Sequence, residues 1–194
     1  MNKNFRAKPV GWRNDSYRHY LAAKGIKTKK FSKQQPKKLA QVRNTIITAE
    51  PHREDRMYPI APNDVKEVLK NLPEDDVKGL KEVSFVDPKG MQENAWGQFI
   101  RSKRKILIFS QPADEKSIDQ QNPDKVYAKV KNYVLPHEVG HHVALERRKI
   151  TDEDIAVAEG RADAYAAGYD VESPVVKQFA NNYRKTMSGQ QQNI

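Results

Sequence analysis

Residues 133–150 read YVLPHEVGHHVALERRKI, and the interpretation of the whole chain starts from this stretch. If the stretch is helical, His137 and His141 are four residues apart and share one face, with Cβ atoms roughly 5–6 Å apart. Two imidazoles in that register can bind one metal ion, because zinc–nitrogen bonds are about 2.0–2.1 Å long. Glu138 lies one step round the helix, close enough to take a proton from water at the metal. The spacing therefore predicts an H-E-x-x-H metal site with Glu138 as its general base.

The residues that flank the two histidines indicate a mostly buried helix. A glycine inside a helix costs about 1 kcal/mol relative to alanine, so Gly140 predicts a close approach by a metal, a substrate or another backbone. Pro136 removes one backbone hydrogen bond and collides with the carbonyl group of Asn132, at a cost of about 3 kcal/mol. We expect a continuous helix that is kinked at Pro136, although a new helix beginning there would also fit. The flanking residues are apolar or small: Val134, Leu135, Val139, Gly140, Val143, Ala144 and Leu145.

A second helix is predicted for residues 151–168, TDEDIAVAEGRADAYAAG, with Thr151 as its N-cap and Gly168 as its C-cap. A catalytic zinc site usually has three protein ligands, so one more ligand is needed beside the two histidines. Glu159 and Asp163 are four residues apart and share a face of this helix. The small residues of the segment would let the helix pack closely on the first one: Ala156, Ala162, Ala166 and Ala167.

This combination resembles the gluzincins, metallopeptidases whose third metal ligand is a glutamate on a downstream helix. The resemblance is to the small members, the minigluzincins and the ImmA/IrrE-like group, and it covers roughly residues 58–170, with its specificity in residues 137–163. It implies a zinc-dependent metallopeptidase that hydrolyses a polypeptide substrate. It also implies roles for five residues, with Zn²⁺ bound by His137, His141 and Glu159, Glu138 as general base, and Asp163 orienting a ligand histidine.

Some neighbouring residues leave alternatives open. Another group of zincins uses an aspartate as the third ligand, but the residues after Asp163 do not fit that pattern, so Glu159 is the expected ligand. His142 is turned about 100° from His141 and is expected to be packed or hydrogen-bonded rather than bound to metal. A tyrosine could stabilise the oxyanion of the transition state, and the sequence does not choose among three candidates: Tyr165, Tyr169 and Tyr183.

Charge is distributed unevenly along the chain. The formal net charge is +10, but residues 1–44 contain thirteen lysines and arginines against Asp15 alone. We interpret residues 1–49 as a basic arm, partly disordered or draped over the domain. The alternative function is a nucleic-acid-associated protein that binds nucleic acid or another polyanion through residues 1–44, with a structural or latent metal site.

The composition excludes some classes of protein. The chain of 194 residues has no cysteine, so a disulfide framework and a cysteine-ligated metal are excluded. The N-terminal residues lack the apolar region of a signal peptide, and no membrane span is predicted, so we expect a cytoplasmic protein without a membrane partner. The oligomeric state is not predicted.

The segments between the arm and the metal helix predict an α+β domain over residues 50–187. DVKEVLKNL (residues 64–72) has the apolar spacing of a short helix, and VKGLKEVSFVD, AWGQFIR and KILIFS read as strands. We expect a small zincin-like fold, in which a short twisted sheet of about three strands packs on the HExxH helix and the downstream glutamate-bearing helix. Either AWGQFIR or KILIFSQ could be an edge strand that pairs with substrate. Residues 188–194 are expected to be a disordered tail.

Overall fold

The structure is a computed structural model that describes residues 36–51, 53, 56–88, 95–112, 123–148 and 154–190. Most of the predicted basic arm and the last four residues of the predicted tail lie outside these ranges. Expectations that concern the structure of residues 1–35 and 191–194 therefore stay predictions. Residues 188–190, the start of the predicted tail, lie in the last helix.

The main sheet has five strands in the spatial order β1-β2-β4-β6-β5. Strands β2, β4 and β6 are parallel, and β1 and β5 are antiparallel strands at the two edges. A separate two-stranded sheet joins β3 and β7. The strands are β1 Lys37–Val42, β2 Thr45–Ala49, β3 Arg56–Met57, β4 Glu82–Val86, β5 Gly97–Ile100, β6 Lys105–Phe109 and β7 Gln111–Pro112.

The α+β class is confirmed, but the expectation of about three strands is wrong. The two unexpected strands, β1 and β2, come from residues 37–49, which the sequence assigned to the basic arm. This segment follows a lysine-rich stretch, but its own residues Leu39, Val42 and Ile47 are buried because β1 pairs with β2 and β2 pairs with β4. Its turn was also hard to recognise, since Arg43 adopts a left-handed φ of 50° without a glycine to signal it.

Helices lie where the sequence predicted the short helix, the metal helix and the glutamate-bearing helix, with a difference at Pro136. The chain runs as one helix from residue 123 to residue 148, but residues Val130–Val134 form a π-helical turn in which the Leu135 N–H donates to the carbonyl of Val130. The wider turn accommodates the proline ring that would crowd an α-helical turn. The helices are α1 Pro62–Asn71, α2 Glu74–Val77, α3 Pro123–Lys129, α4 Leu135–Arg148, α5 Ile155–Ala166 and α6 Val176–Gln190, and a short 3₁₀ turn spans Arg101–Lys103.

The core lies between one face of the sheet and the helices α1 and α3–α4. Val83, Phe85, Ile106 and Ile108 point from the central strands into it and are fully buried. Burial of each such side chain contributes about 1.5–3 kcal/mol, so this layer fixes α4 on the sheet. The HExxH motif lies on α4. The edge strand β5 is next to this helix.

The described helices are all too short or too polar to cross a lipid bilayer.

Candidate metal centre

Two helices that pack unusually closely carry the candidate centre. A Cβ atom on Gly140 of α4 would lie 2.9 Å from the Cα of Ala162 and 2.9 Å from the Cβ of Tyr165, both in α5. The close approach that Gly140 predicted is therefore an approach by another backbone. The N-cap of α5 is Asp154, whose carboxylate accepts the Ala156 N–H, while the predicted N-cap Thr151 lies outside the described residues.

His137, His141 and Glu159 converge on one point between these helices. The two Nε2 atoms are 3.2 Å apart, and the Glu159 carboxylate oxygens lie 3.3 Å from His137 Nε2 and 3.6 Å from His141 Nε2. Bonds of about 2.0–2.1 Å at tetrahedral angles place neighbouring ligand atoms roughly 3.3–3.4 Å apart. The three side chains thus have the spacing and the donor chemistry that a zinc ion needs.

Asp163 lies behind His137, on the side away from the convergence point. Its Oδ1 is 2.8 Å from His137 Nδ1. Because a carboxylate accepts hydrogen bonds, this contact places a proton on Nδ1, while Nε2 faces Glu159 and His141. A carboxylate behind a ligand histidine in this way fixes both the tautomer and the ring orientation.

The carboxylates of the cluster favour a positive charge on His137. Burial alone would lower the pKa of His137, but the hydrogen bonds that it donates to the Asp163 and Glu159 carboxylates raise it to about 10. Burial and the neighbouring His137 lower the pKa of His141 to about 4. Burial opposes ionisation of Glu159, yet the hydrogen bond from His137 and the charges of the imidazole pair hold its pKa below the usual range. The cluster therefore places carboxylates around two imidazoles, of which His137 is readily protonated and His141 is not.

Glu138 differs from Glu159 because it is almost completely buried, with 7% of its surface exposed. Burial raises the pKa of the Glu138 carboxyl group to about 7, although the nearby His137 and a hydrogen bond from the Phe99 backbone N–H lower it. A carboxylate whose pKa is near neutrality can both accept and return a proton under physiological conditions. Glu138 has the protonation chemistry of a general base.

The edge strand β5 lies beside Glu138. A Cβ atom on Gly97 would lie 3.0 Å from Val134 Cγ1 and 3.2 Å from Glu138 Cγ, so a larger residue there would require these side chains to shift by a few tenths of an ångström. Among the described strands β5 pairs with β6 alone, and AWGQFIR is therefore the edge. The alternative that KILIFSQ is the edge is wrong, because its strand β6 pairs with both β4 and β5.

The other histidine and tyrosine candidates occupy different environments. His142 is fully buried, and its Nε2 is 2.9 Å from the carbonyl oxygen of Lys78, as expected for a packed histidine. The Tyr165 hydroxyl donates to Asp76 at 2.8 Å, so it is engaged by a carboxylate outside the His137, His141 and Glu159 group. Tyr169 lies past the end of α5 and is half exposed. Tyr183 lies nearer to the candidate centre, since the charges of Glu159 and Asp163 add to burial in raising the pKa of Tyr183.

Sequence reasoning missed Tyr133. Its hydroxyl donates to Asp163 Oδ1 at 2.5 Å, and its ring centroid is 5.8 Å from that of His137. The available signal was the four-residue spacing between Tyr133 and His137, which places both on one helix face. Sequence reasoning also missed Asp76, because nothing in EDDV indicates a buried carboxylate.

Comparison with known proteins finds no matching family model, no matching curated protein and no matching solved structure. The resemblance to the gluzincins therefore rests on the motif residues of this chain and on their spacing. The geometry of His137, His141 and Glu159 is the basis for any statement about function.

Proposed function

We propose that the protein is a zinc-dependent metallopeptidase with a gluzincin-type centre in a zincin-like fold. The observation that supports this most directly is the convergence of His137 Nε2, His141 Nε2 and the two Glu159 carboxylate oxygens, with separations of 3.2 Å between the imidazoles and 3.3 and 3.6 Å from each imidazole to one oxygen. His137 and His141 come from one helix and Glu159 from its neighbour, and Glu138 is the base next to His137. Two imidazoles and one carboxylate form a set of ligands that catalytic zinc sites use.

Zinc bound by these residues would polarise the scissile carbonyl group and acidify the attacking water. Glu138 accepts the proton of that water, for which its pKa of about 7 is suited. Glu138 then donates the proton to the leaving amine. Asp163 holds the Nδ1 proton of His137, so that the lone pair of Nε2 stays available.

The substrate is a polypeptide that pairs with β5. The strand is at the edge of the sheet, and it lies against Val134 and Glu138. An extended peptide that adds a strand to this edge would bind through main-chain hydrogen bonds, and its backbone would pass next to Glu138. Gly97 lets β5 pack closely against Glu138. A peptide that pairs with β5 would therefore have its scissile bond near this base.

Two substitutions test this function in the full chain. Glu138→Ala should retain one zinc per chain and lose peptide hydrolysis by about 10²–10⁴-fold, because only the base is removed. His141→Ala should lose both zinc and hydrolysis. Zinc content is measured by elemental analysis, and hydrolysis by mass spectrometry of a digested peptide library. Equal cleavage by the parent and Glu138→Ala would contradict the mechanism, and one zinc per chain in His141→Ala would contradict the site.

A further inference from the structure

We infer that Tyr133 is a positioning residue of the metal centre, which acts through Asp163 on His137. The inference rests on the proposed function, because it assigns a role within the same centre. A chain of contacts carries it: the Tyr133 hydroxyl donates to Asp163 Oδ1 at 2.5 Å, and the same oxygen accepts the Nδ1 proton of His137 at 2.8 Å.

The environment of Tyr133 distinguishes it from a packed core residue. Tyr133 is 42% exposed, so burial holds its side chain less firmly than its two specific contacts do. One is the hydroxyl bond to Asp163. The other is the tilted ring contact with His137, at 5.8 Å between centroids and 38° between planes. Tyr133 therefore contacts both the ligand histidine and the carboxylate that orients it.

The local backbone explains how Tyr133 reaches this place. Tyr133 belongs to the π-helical turn Val130–Val134, directly before α4. Single π turns inside α-helices occur frequently at functional sites. Pro136 favours the wider turn, because its ring would crowd the carbonyl of Asn132 in an α-helical one. The proline that interrupts the helix thus contributes to the position of the tyrosine.

A second donor on Asp163 has a physical consequence for the metal site. The side chain of Asp163 is 21% exposed, so water competes for its oxygens. A carboxylate held by one donor can rotate, whereas two donors on Oδ1 restrict it to the orientation that meets His137. Outer partners of this kind typically change metal affinity by about 10–100-fold when they are removed. Tyr133 is one step further from the metal, and its removal is expected to weaken zinc by about fivefold.

The test compares zinc affinity in four full-length variants by competition with a chromophoric chelator. Tyr133→Phe keeps the ring and removes only the hydroxyl, so it should bind zinc about fivefold more weakly than the parent. Asp163→Asn should weaken zinc by about 10–100-fold. Tyr133→Phe added to Asp163→Asn should have little further effect, because the hydroxyl acts through the carboxylate. Tyr169→Phe is the matched control and should bind zinc as the parent does.

A second readout uses the metal-free chain and separates failure of this inference from failure of the proposed function. The imidazole ¹⁵N signals of His137 report the protonated Nδ1 directly. They should shift in Tyr133→Phe and stay unchanged in Tyr169→Phe. Unchanged His137 signals in Tyr133→Phe would overturn the inference. An equal loss of zinc affinity when Tyr133→Phe is made in the parent and in Asp163→Asn would also overturn it. If the parent binds no zinc while the His137 signals shift as expected, the proposed function fails and the positioning role of Tyr133 stands.

Discussion

Two carboxylate clusters join α4 to α5, and they differ in what neutralises them. The metal cleft consists of Glu138, Glu159 and Asp163 with the imidazoles of His137 and His141. The Asp76 cluster consists of Asp76, Arg147, Tyr165 and Asp170. In the Asp76 cluster the Arg147 guanidinium donates to both aspartates, and Tyr165 donates to Asp76, which is 5% exposed.

The comparison shows how one helix pair can build a structural tether and a reactive centre from similar groups. A guanidinium is always charged, so the Arg147 side chain supplies positive charge to the Asp76 cluster without a bound ion. The metal cleft has imidazoles in the corresponding role, but burial and the neighbouring His137 disfavour the charged form of His141. A divalent cation between them would supply the charge that the protein does not, and the following substitutions test this difference from the largest expected effect to the smallest.

The largest effect is expected for Glu159→Gln, which keeps the shape of the side chain and removes its charge. Because a ligand should matter more than an outer partner, the zinc affinity should fall by at least about 100-fold. Asp170→Asn makes the same chemical change in the Asp76 cluster and should leave the zinc affinity within about twofold. Competition with a chelator measures both. If Glu159→Gln bound zinc as tightly as the parent, the proposed difference between the two clusters would be contradicted.

Glu138→Gln should change how the stability of the metal-free protein depends on pH. The pKa of Glu138 is about 7 in the folded protein, raised by burial from the usual glutamate value of 4.5. Between these values the folded protein keeps a proton that the unfolded chain has released, so this group lowers the free energy of unfolding as pH rises. The stability of the variant relative to the parent should therefore increase by roughly 3 kcal/mol from pH 4 to pH 8.

Urea denaturation in the presence of a chelator measures this difference at each pH. Only the change with pH is informative, because the amide of glutamine has its own cost of burial. A difference between variant and parent that stays constant from pH 4 to pH 8 would contradict the assignment of a perturbed carboxyl group to Glu138.

Gly140→Ala should affect both clusters, because the new Cβ atom would lie 2.9 Å from the backbone of Ala162. We expect a loss of about 1–3 kcal/mol in the free energy of unfolding, together with weaker zinc binding as α5 moves away from α4. Gly160→Ala is the matched control, since its Cβ atom would lie 2.7 Å from the Ala180 nitrogen of α6. Denaturation and chelator competition should show a stability loss in both variants and a zinc defect in Gly140→Ala alone.

The smallest effect is expected for Arg147→Met, which keeps much of the side-chain volume and removes the guanidinium. The Arg147 side chain is 41% exposed, and Tyr165 still donates to Asp76, so the free energy of unfolding should fall by only about 1–2 kcal/mol. The zinc affinity of the folded protein should not change. A zinc defect as large as that of Glu159→Gln would show that the two clusters are not independent.

Local features of the chain could be predicted because they depend on residues close in sequence. The i, i+4 spacing placed His137 and His141 on one helix face, and the apolar pattern identified β4, the hairpin β5–β6 and most of α1. Residues 37–49 could not be recognised as strands, because their burial depends on pairing with β4, more than thirty residues further along the chain. Intrinsic β-preference is weak compared with such tertiary context.

The sequence by itself determined the HExxH register, the helical carrier of Glu159 and Asp163, and the need for a close approach at Gly140. Only the tertiary structure decided that the approaching backbone is that of Ala162, that the Tyr133 hydroxyl meets Asp163, and that β5 rather than β6 lies at an edge of the sheet formed by the described strands. The physical reason is the range of the interactions. Helical spacing follows from local backbone geometry, whereas ångström-scale distances between side chains on different elements are set by the packing of the whole core.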